Sequence, residues 1–189
     1  MEQPPLGAIV LTGGTAVRLD GADKASLEVG GRTLLDRALA NLPDCRDVVV
    51  VGPEVHTDRP VTFRLEDPPF GGPAAGLIAG LGGFPFRPER VAVLAVDLPY
   101  VTPATWERLA AAYARDGAVL VDADGRRQPL CGLYATASLA RSGGDGAQGS
   151  SMRALLADLD LVEVAAVGAE ARDVDTWADV RDLRESAQD

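Results

Sequence analysis

Apolar residues fall along this chain in short unbroken runs bounded by glycine and proline, the pattern of strands covered on both faces. Ala8-Ile9-Val10-Leu11, Val48-Val49-Val50-Val51 and Val91-Ala92-Val93-Leu94-Ala95-Val96 are the clearest runs. Val61-Thr62-Phe63-Arg64-Leu65 alternates enough to predict another strand, as do Ala118-Val119-Leu120-Val121 and Leu161-Val162-Glu163-Val164. Gln128 to Tyr134 reads as a strand interrupted by Pro129, which suggests an edge or a bulge.

Between these runs the apolar period lengthens to that of a helix. Thr33 and Asp36 form a capping box ahead of the stripe Leu35, Ala38, Leu39 and Leu42. Pro73 after Gly72 predicts a helix start, and so does Pro103 after Thr102. Met152, Leu155, Leu156 and Leu159 give a later stripe, and Thr176 with Asp179 a last capping box. Strand and helix alternate as in βαβ units, so the expected fold is α/β, a Rossmann-like three-layer sandwich around a mostly parallel sheet. With 189 residues, 47% of them hydrophobic, one domain spanning 1–189 is expected. Residues 141–150 carry four glycines and read as a flexible loop.

Charge narrows the partners. A formal net charge of −10, with no arginine cluster larger than Arg126-Arg127, argues against a nucleic-acid surface or an anionic membrane. No apolar stretch approaches the length of a membrane span, and the first residues lack a basic leader. Cys45 and Cys131 are too few for a disulfide framework or a zinc site, which implies a reducing, cytoplasmic setting. His56, the only histidine, stands among Glu54, Thr57 and Asp58 and offers no Ser-His-Asp or Cys-His set.

Against that acidic background one cation stands out. Lys24 is the only lysine among 18 basic residues, the rest being arginine. A compact ammonium on a flexible stem suits a point contact with phosphate, where a planar guanidinium would fit differently. Lys24 closes a loop that follows the first apolar run and contains Gly13 and Gly14, whose backbones can approach an anion closely. Asp97 follows the strongest strand candidate directly. A carboxylate there lies where open α/β sheets bind ligands and can hold a hard cation, although an Asp-x-Pro sequence is also a plain turn.

The loop departs from the Walker and dinucleotide patterns, since Asp23 precedes Lys24 and no G-x-G-x-x-G is present. Leu11-Thr12-Gly13-Gly14, Arg18-Leu19 and Lys24 instead align with L-A-G-G-x-x-x-R-M-G-x-x-x-K. That is the signature of nucleotidyltransferases with a pyrophosphorylase-type domain. With Gly21 and Asp23 the loop resembles the molybdenum cofactor guanylyltransferases, a MobA-like NTP transferase family. Asp67 with Gly72-Pro73-Ala74-Ala75-Gly76, Asp97-Leu98-Pro99, and Asp173-Val174-Asp175-Thr176 extend the resemblance over most of the chain.

The resemblance implies transfer of GMP from GTP to the terminal phosphate of molybdopterin, with Mg2+ as cofactor and pyrophosphate as product. It implies Lys24, Arg18 and Asp97 as catalytic residues. Leu11, Thr12, Gly13, Gly14, Lys24, Asp67, Gly72 and Asp97 would border the nucleotide. Asp97 and Asp175 would be metal ligands, and Gln128, Asp173 and Asp175 would border the acceptor; Arg126, Arg127 and Gln128 also read as a solvated turn. A monomer is favoured. Thr12, Leu19 and Asp20 depart from the pattern, and two aspartates replace the asparagines of N-I-N-T. Two other readings stay open, a cytidylyl or other NTP transferase with a different phosphorylated acceptor, and a non-catalytic nucleotide-binding homologue.

Overall fold

The computed structural model describes residues 5–13, 23–67, 71–143 and 151–186. Its strands are β1 (Leu6–Leu11), β2 (Glu28–Val29), β3 (Arg32–Thr33), β4 (Asp47–Val51), β5 (Thr62–Arg64), β6 (Arg90–Ala95), β7 (Gly117–Val121), β8 (Arg127–Ala135) and β9 (Leu161–Ala165). The helices are α1 (Leu34–Asn41), α2 (Pro73–Leu81), α3 (Pro103–Ala112), α4 (Thr136–Ser142), α5 (Met152–Leu155) and α6 (Trp177–Ser186). The main sheet has the order β5-β4-β1-β6-β8. β5, β4, β1 and β6 are parallel, and β8 runs antiparallel to β6. β7 and β9 form a parallel pair on the far side of β8, where the Ala135 N–H donates to the Asp116 carbonyl at 2.9 Å. The whole is the expected α/β architecture with a mostly parallel centre.

The unbroken apolar runs follow from this layering. In β1, β4 and β6 alternate residues point to opposite faces, and both faces are covered. Ala8, Val10, Val48, Val50, Ala92 and Leu94 pack in one core with Leu35 and Leu39 of α1, Trp106 and Leu109 of α3, and Val180 and Leu183 of α6. Ile9, Leu11, Val49, Val51, Val91 and Val93 pack in a second core with Ala74 and Leu77 of α2, Leu139 of α4, and Met152 and Leu155 of α5. Local chemistry starts the helices as expected. The Thr33 side chain accepts from the Asp36 N–H at 3.0 Å, Pro73 is the first residue of α2, and Thr102 and Thr105 form a capping box on α3.

Of three further expectations, two need correction and the one on Pro129 holds. Residues 141–150 are not loop throughout, because Arg141 and Ser142 form the last turn of α4, held by fully buried Leu139 and by Arg141 donating to Ser138 Oγ at 2.9 Å; residues 144–150 lie outside the described residues. Of the edge or bulge expected at Pro129, the structure shows the edge, since β8 is the last strand of the five-stranded sheet. The ladder to β6 uses Cys131 to Ala135, so Pro129 needs no N–H there, and its carbonyl accepts from the Tyr134 hydroxyl at 2.7 Å. The stripe from Met152 to Leu159 is helical only through Leu155, and Leu156 and Leu159 are buried from a turn instead.

α2 lies close to the sheet because its residues are small. A Cβ added at Gly80 would stand 2.8 Å from Ile9 Cγ2 and 3.0 Å from Val51 Cγ2, both methyls of stiff β-branched side chains in central strands. Gly80→Ala gains about 1 kcal/mol of helix propensity, but overpacking against these strands costs about 1–3 kcal/mol. The variant is therefore expected to unfold at lower urea concentration than the parent, and a higher midpoint would show that α2 can lift off the sheet at little cost.

Candidate active site

At the C-terminal ends of β1 and β6 the sheet opens, and three separated segments meet there. Beyond β1, Thr12 uses both its N–H and its hydroxyl on the Val51 carbonyl, each at 3.0 Å. The Val96 N–H donates to the Leu11 carbonyl at 2.9 Å. Leu11 and Thr12 are thus buried and engaged, and Gly13 is the first exposed residue of the loop. Among the described residues, nothing lies within 4 Å of a Cβ built at Gly13. Gly14 and Arg18 lie outside the described residues.

Lys24 leaves a turn that fixes its backbone. Asp23 accepts from the Ala25 N–H at 3.1 Å and the Ser26 hydroxyl at 2.7 Å, while Ala25 is buried and its carbonyl receives the Leu35 N–H at 3.2 Å. From there the Lys24 ammonium reaches Asp97 Oδ2 at 3.1 Å and Asp175 Oδ1 at 2.6 Å, with its side chain only 10% exposed. Burial alone would lower its pKa. The Asp175 hydrogen bond and the Asp97 charge outweigh that and raise it, so the amine stays charged at neutral pH.

Asp97 stands two residues past β6, and the loop carrying Asp175 is tied to it directly. The Val174 N–H donates to the Asp97 carbonyl at 2.9 Å, and Val174 is fully buried. Asp173, exposed overall, lines a cleft of about 190 Å3 together with Asp97, Gln128, Leu98, Pro129 and Leu130. Partial desolvation and the neighbouring Asp175 charge push its pKa up. Gln128 Nε2 donates to Asp122 Oδ2 at 3.2 Å, which sets its amide on the cleft's rim. Lys24, Asp97 and Asp175 therefore form one cluster, and Asp97, Gln128 and Asp173 one cleft. Arg126 and Arg127 are exposed, with Arg127 paired to Glu163 at 2.7 Å.

At the start of α2, Gly72 has φ +86°, a conformation suited to glycine, and among the described residues nothing lies within 4 Å of a Cβ built there. Asp67 is exposed on this side, whereas Glu66 reaches inward and accepts the Gly71 N–H at 2.8 Å. Sequence reasoning passed over Glu66, although the adjacent acidic pair Glu66-Asp67 was the signal for it. It also passed over Glu170. That residue is 6% exposed and accepts from Thr105 Oγ1 at 2.6 Å, from the Val167 N–H at 2.8 Å, and from Arg108. Burial tends to raise its pKa, but the hydrogen bond from Thr105 and those from Val167 and Arg108 hold it below the usual value. These bonds bolt the segment before Asp173 and Asp175 to the first turns of α3.

The comparisons with known proteins bear on this arrangement. Residues 8–164 match the family model of the MobA-like NTP transferase domain. The chain belongs to this family. A molybdenum cofactor guanylyltransferase of Nitrobacter hamburgensis is 34% identical over 145 residues, which cover 71% of this chain and 69% of that one. Among solved structures, molybdopterin-guanine dinucleotide biosynthesis protein A of Archaeoglobus fulgidus superposes with a TM-score of 0.71 at 20% identity, covering 96% of this chain and 98% of that one. A 2-C-methyl-D-erythritol 4-phosphate cytidylyltransferase of Thermus thermophilus gives 0.67 at 20% identity over 96% of this chain and 98% of that one. The MobA-like family sets the class, nucleotidyl transfer, and the two structures share the fold. Among the described residues no helix is long and apolar enough to cross a membrane.

The α6 cap makes the acidic loop pH-dependent. Asp179 Oδ2 accepts from the Thr176 hydroxyl at 2.7 Å and from the N–H groups of Thr176 and Asp175 at 2.8 and 3.2 Å. The Thr176 hydroxyl bond foremost, with the backbone and Arg172 bonds, lowers its pKa from 3.8 to about 2. A depressed carboxylate stabilises the fold fully above its unfolded pKa and progressively less as pH falls through the folded one. Asp179→Asn is expected to lose about 0.5–2 kcal/mol at neutral pH. Denaturant titrations should show that deficit closing between about pH 4 and 2, and a deficit constant with pH would contradict the assignment.

Proposed function

We propose that this protein transfers the guanylyl group of GTP to the terminal phosphate of molybdopterin and releases pyrophosphate. The observation that carries the reading is the convergence of Lys24, Asp97 and Asp175 at the C-terminal edge of the sheet, where Gly13 follows β1 and Asp97 follows β6. The similarity to the Nitrobacter guanylyltransferase supports the choice of base and acceptor.

The acceptor phosphate is already a nucleophile. Its oxygen bonds to the α-phosphorus of GTP, the bond from that phosphorus to the bridging oxygen breaks, and pyrophosphate leaves with the electron pair. No covalent enzyme intermediate is needed, so the protein's task is to orient two polyanions and offset the charge on the leaving group. Gly13 and Gly14 donate N–H groups to the phosphates, and Lys24 and Arg18 meet the β- and γ-phosphates. Gln128 and Asp173, which share a cleft with Asp97, orient the acceptor.

Asp97 and Asp175 suit Mg2+ by their donor chemistry. Two hard carboxylate oxygens aim at one point, as in sites where substrate phosphates and waters complete the shell. When bound, Mg2+ supplies Lewis-acid neutralisation of phosphate oxygens. The aspartates at 173 and 175 resemble those of cytidylyl relatives, which favours the alternative base. The contact of Asp175 with Lys24 supports assigning that change to the phosphate end of the substrate and not to the base. Guanine is then read by backbone groups and a carboxylate that accepts from its N1 and N2 hydrogens, and Glu66 and Asp67 are the acidic side chains at hand.

Pyrophosphate release with each triphosphate, Mg2+ and molybdopterin tests the reading. GTP should exceed CTP and ATP by at least about tenfold in kcat/KM, because the wrong base leaves buried polar groups unpaired. A CTP preference moves the protein to the cytidylyl branch, and nucleotide binding without turnover makes it a non-catalytic homologue.

Lys24→Ala and Asp97→Asn should each lower kcat by about 100-fold or more. Lys24→Arg should fail as well, since a guanidinium cannot replace an ammonium in a gap bounded at 2.6 and 3.1 Å. An arginine variant with nearly full kcat would contradict the role given to the lysine.

A further inference from the structure

Two carboxylates brought to one point in a protein of net charge −10 repel each other unless a cation stands between them. Here that cation is Lys24, whose ammonium touches one oxygen of Asp97 and one of Asp175. A Mg2+ ion bound by these oxygens would sit at about 2.0–2.1 Å from each, in the space the ammonium fills. The two cations exclude each other by size and by charge.

We propose that Lys24 is a stand-in cation, occupying the place between Asp97 and Asp175 in the nucleotide-free enzyme and yielding it only when a triphosphate arrives to receive the ammonium. The proposal rests on the reading of this cluster as the metal and phosphate site. The hinge is the lysine stem, because its neighbours are held. The Lys24 backbone is fixed by Asp23 and Ala25, Asp97 and Val174 share a backbone bond, and Asp175 and Thr176 are capped by Asp179. Of the three charged groups the ammonium has the longest free reach.

The charge balance gives the consequence. A divalent ion entering alone must expel Lys24 from a pocket where its side chain is 10% exposed and leave it without an anion. A triphosphate entering alone draws Lys24 away and strips Asp97 and Asp175 of the ammonium contact they share. Entering together, each ligand satisfies the group that the other uncovers. Metal and nucleotide therefore bind cooperatively, and the coupling is equal in both directions. The resting enzyme does not collect divalent ions that would have to be stripped before the substrate complex could enter.

The test needs no turnover. Free Mn2+ is followed by electron paramagnetic resonance as it is added to nucleotide-free wild type, Lys24→Met, Lys24→Gln and Asp97→Asn. Removing the ammonium should tighten Mn2+ by at least about tenfold in both lysine variants, as expected when a competing charge leaves a carboxylate pair. Asp97→Asn should bind weakly or not at all. The sole lysine gives a second readout on wild type, because 15N-lysine labelling yields one ammonium signal. That signal should persist with millimolar Mg2+ alone and move when GTP and Mg2+ are added together.

Equal Mn2+ affinity in wild type and both lysine variants would overturn the proposal, as would displacement of the ammonium signal by Mg2+ alone. Absence of Mn2+ binding even in the lysine variants would overturn it too. In each of these cases, Mg2+-dependent pyrophosphate release by wild type decides separately whether the reading of the activity stands.

Discussion

The site depends on one ammonium holding two carboxylates together. Asp97 is carried by the end of β6, Asp175 by the loop before α6, and Lys24 by the turn after the glycine loop, so nothing local keeps the two acids adjacent. Packing brings the segments to the same edge, where the carboxylates of Asp97 and Asp175 repel each other. The ion cluster removes that penalty, and the Val174 to Asp97 backbone bond holds the register that the cluster requires.

Around it the protein uses carboxylates as fasteners as much as reagents. Glu170, Asp179, Asp23 and Glu66 each accept two or more hydrogen bonds, or one at a loop that must stay open, and each steadies a segment that borders the site. This accounts for an acidic chain that nevertheless handles polyanions. Much of its negative charge is committed to N–H and hydroxyl donors, and the Lys24 ammonium offsets two further carboxylates at the sheet's C-terminal edge.

The strands and their order of burial could be read directly, because β1, β4 and β6 are covered on both faces and so contain no polar interruptions. Lys24 was legible because it stands alone in composition, and Asp97 because it follows the strongest apolar run. That the two would touch was not legible, since neither residue carries a local signal of the other. Glu170 escaped for the same reason: its partners Thr105 and Arg108 lie on α3, and only the tertiary fold reveals that a glutamate between two short turns is buried. Helix α4 escaped because only Leu139 of its large apolar residues faces the core, too little to make a periodic stripe.

The separation of Lys24 from Asp175, 151 positions along the chain, also sets the order in which the protein comes into being. At about 5–20 residues per second, a ribosome needs roughly 8 to 30 s to make that stretch. For much of this interval the glycine loop and β1 can stand outside the tunnel, while the residue that completes the cluster does not yet exist. A nascent chain therefore cannot use the completed ion cluster to guide the folding of its first half. Until Asp175 joins Lys24 and Asp97, that half must rely on its apolar layers alone.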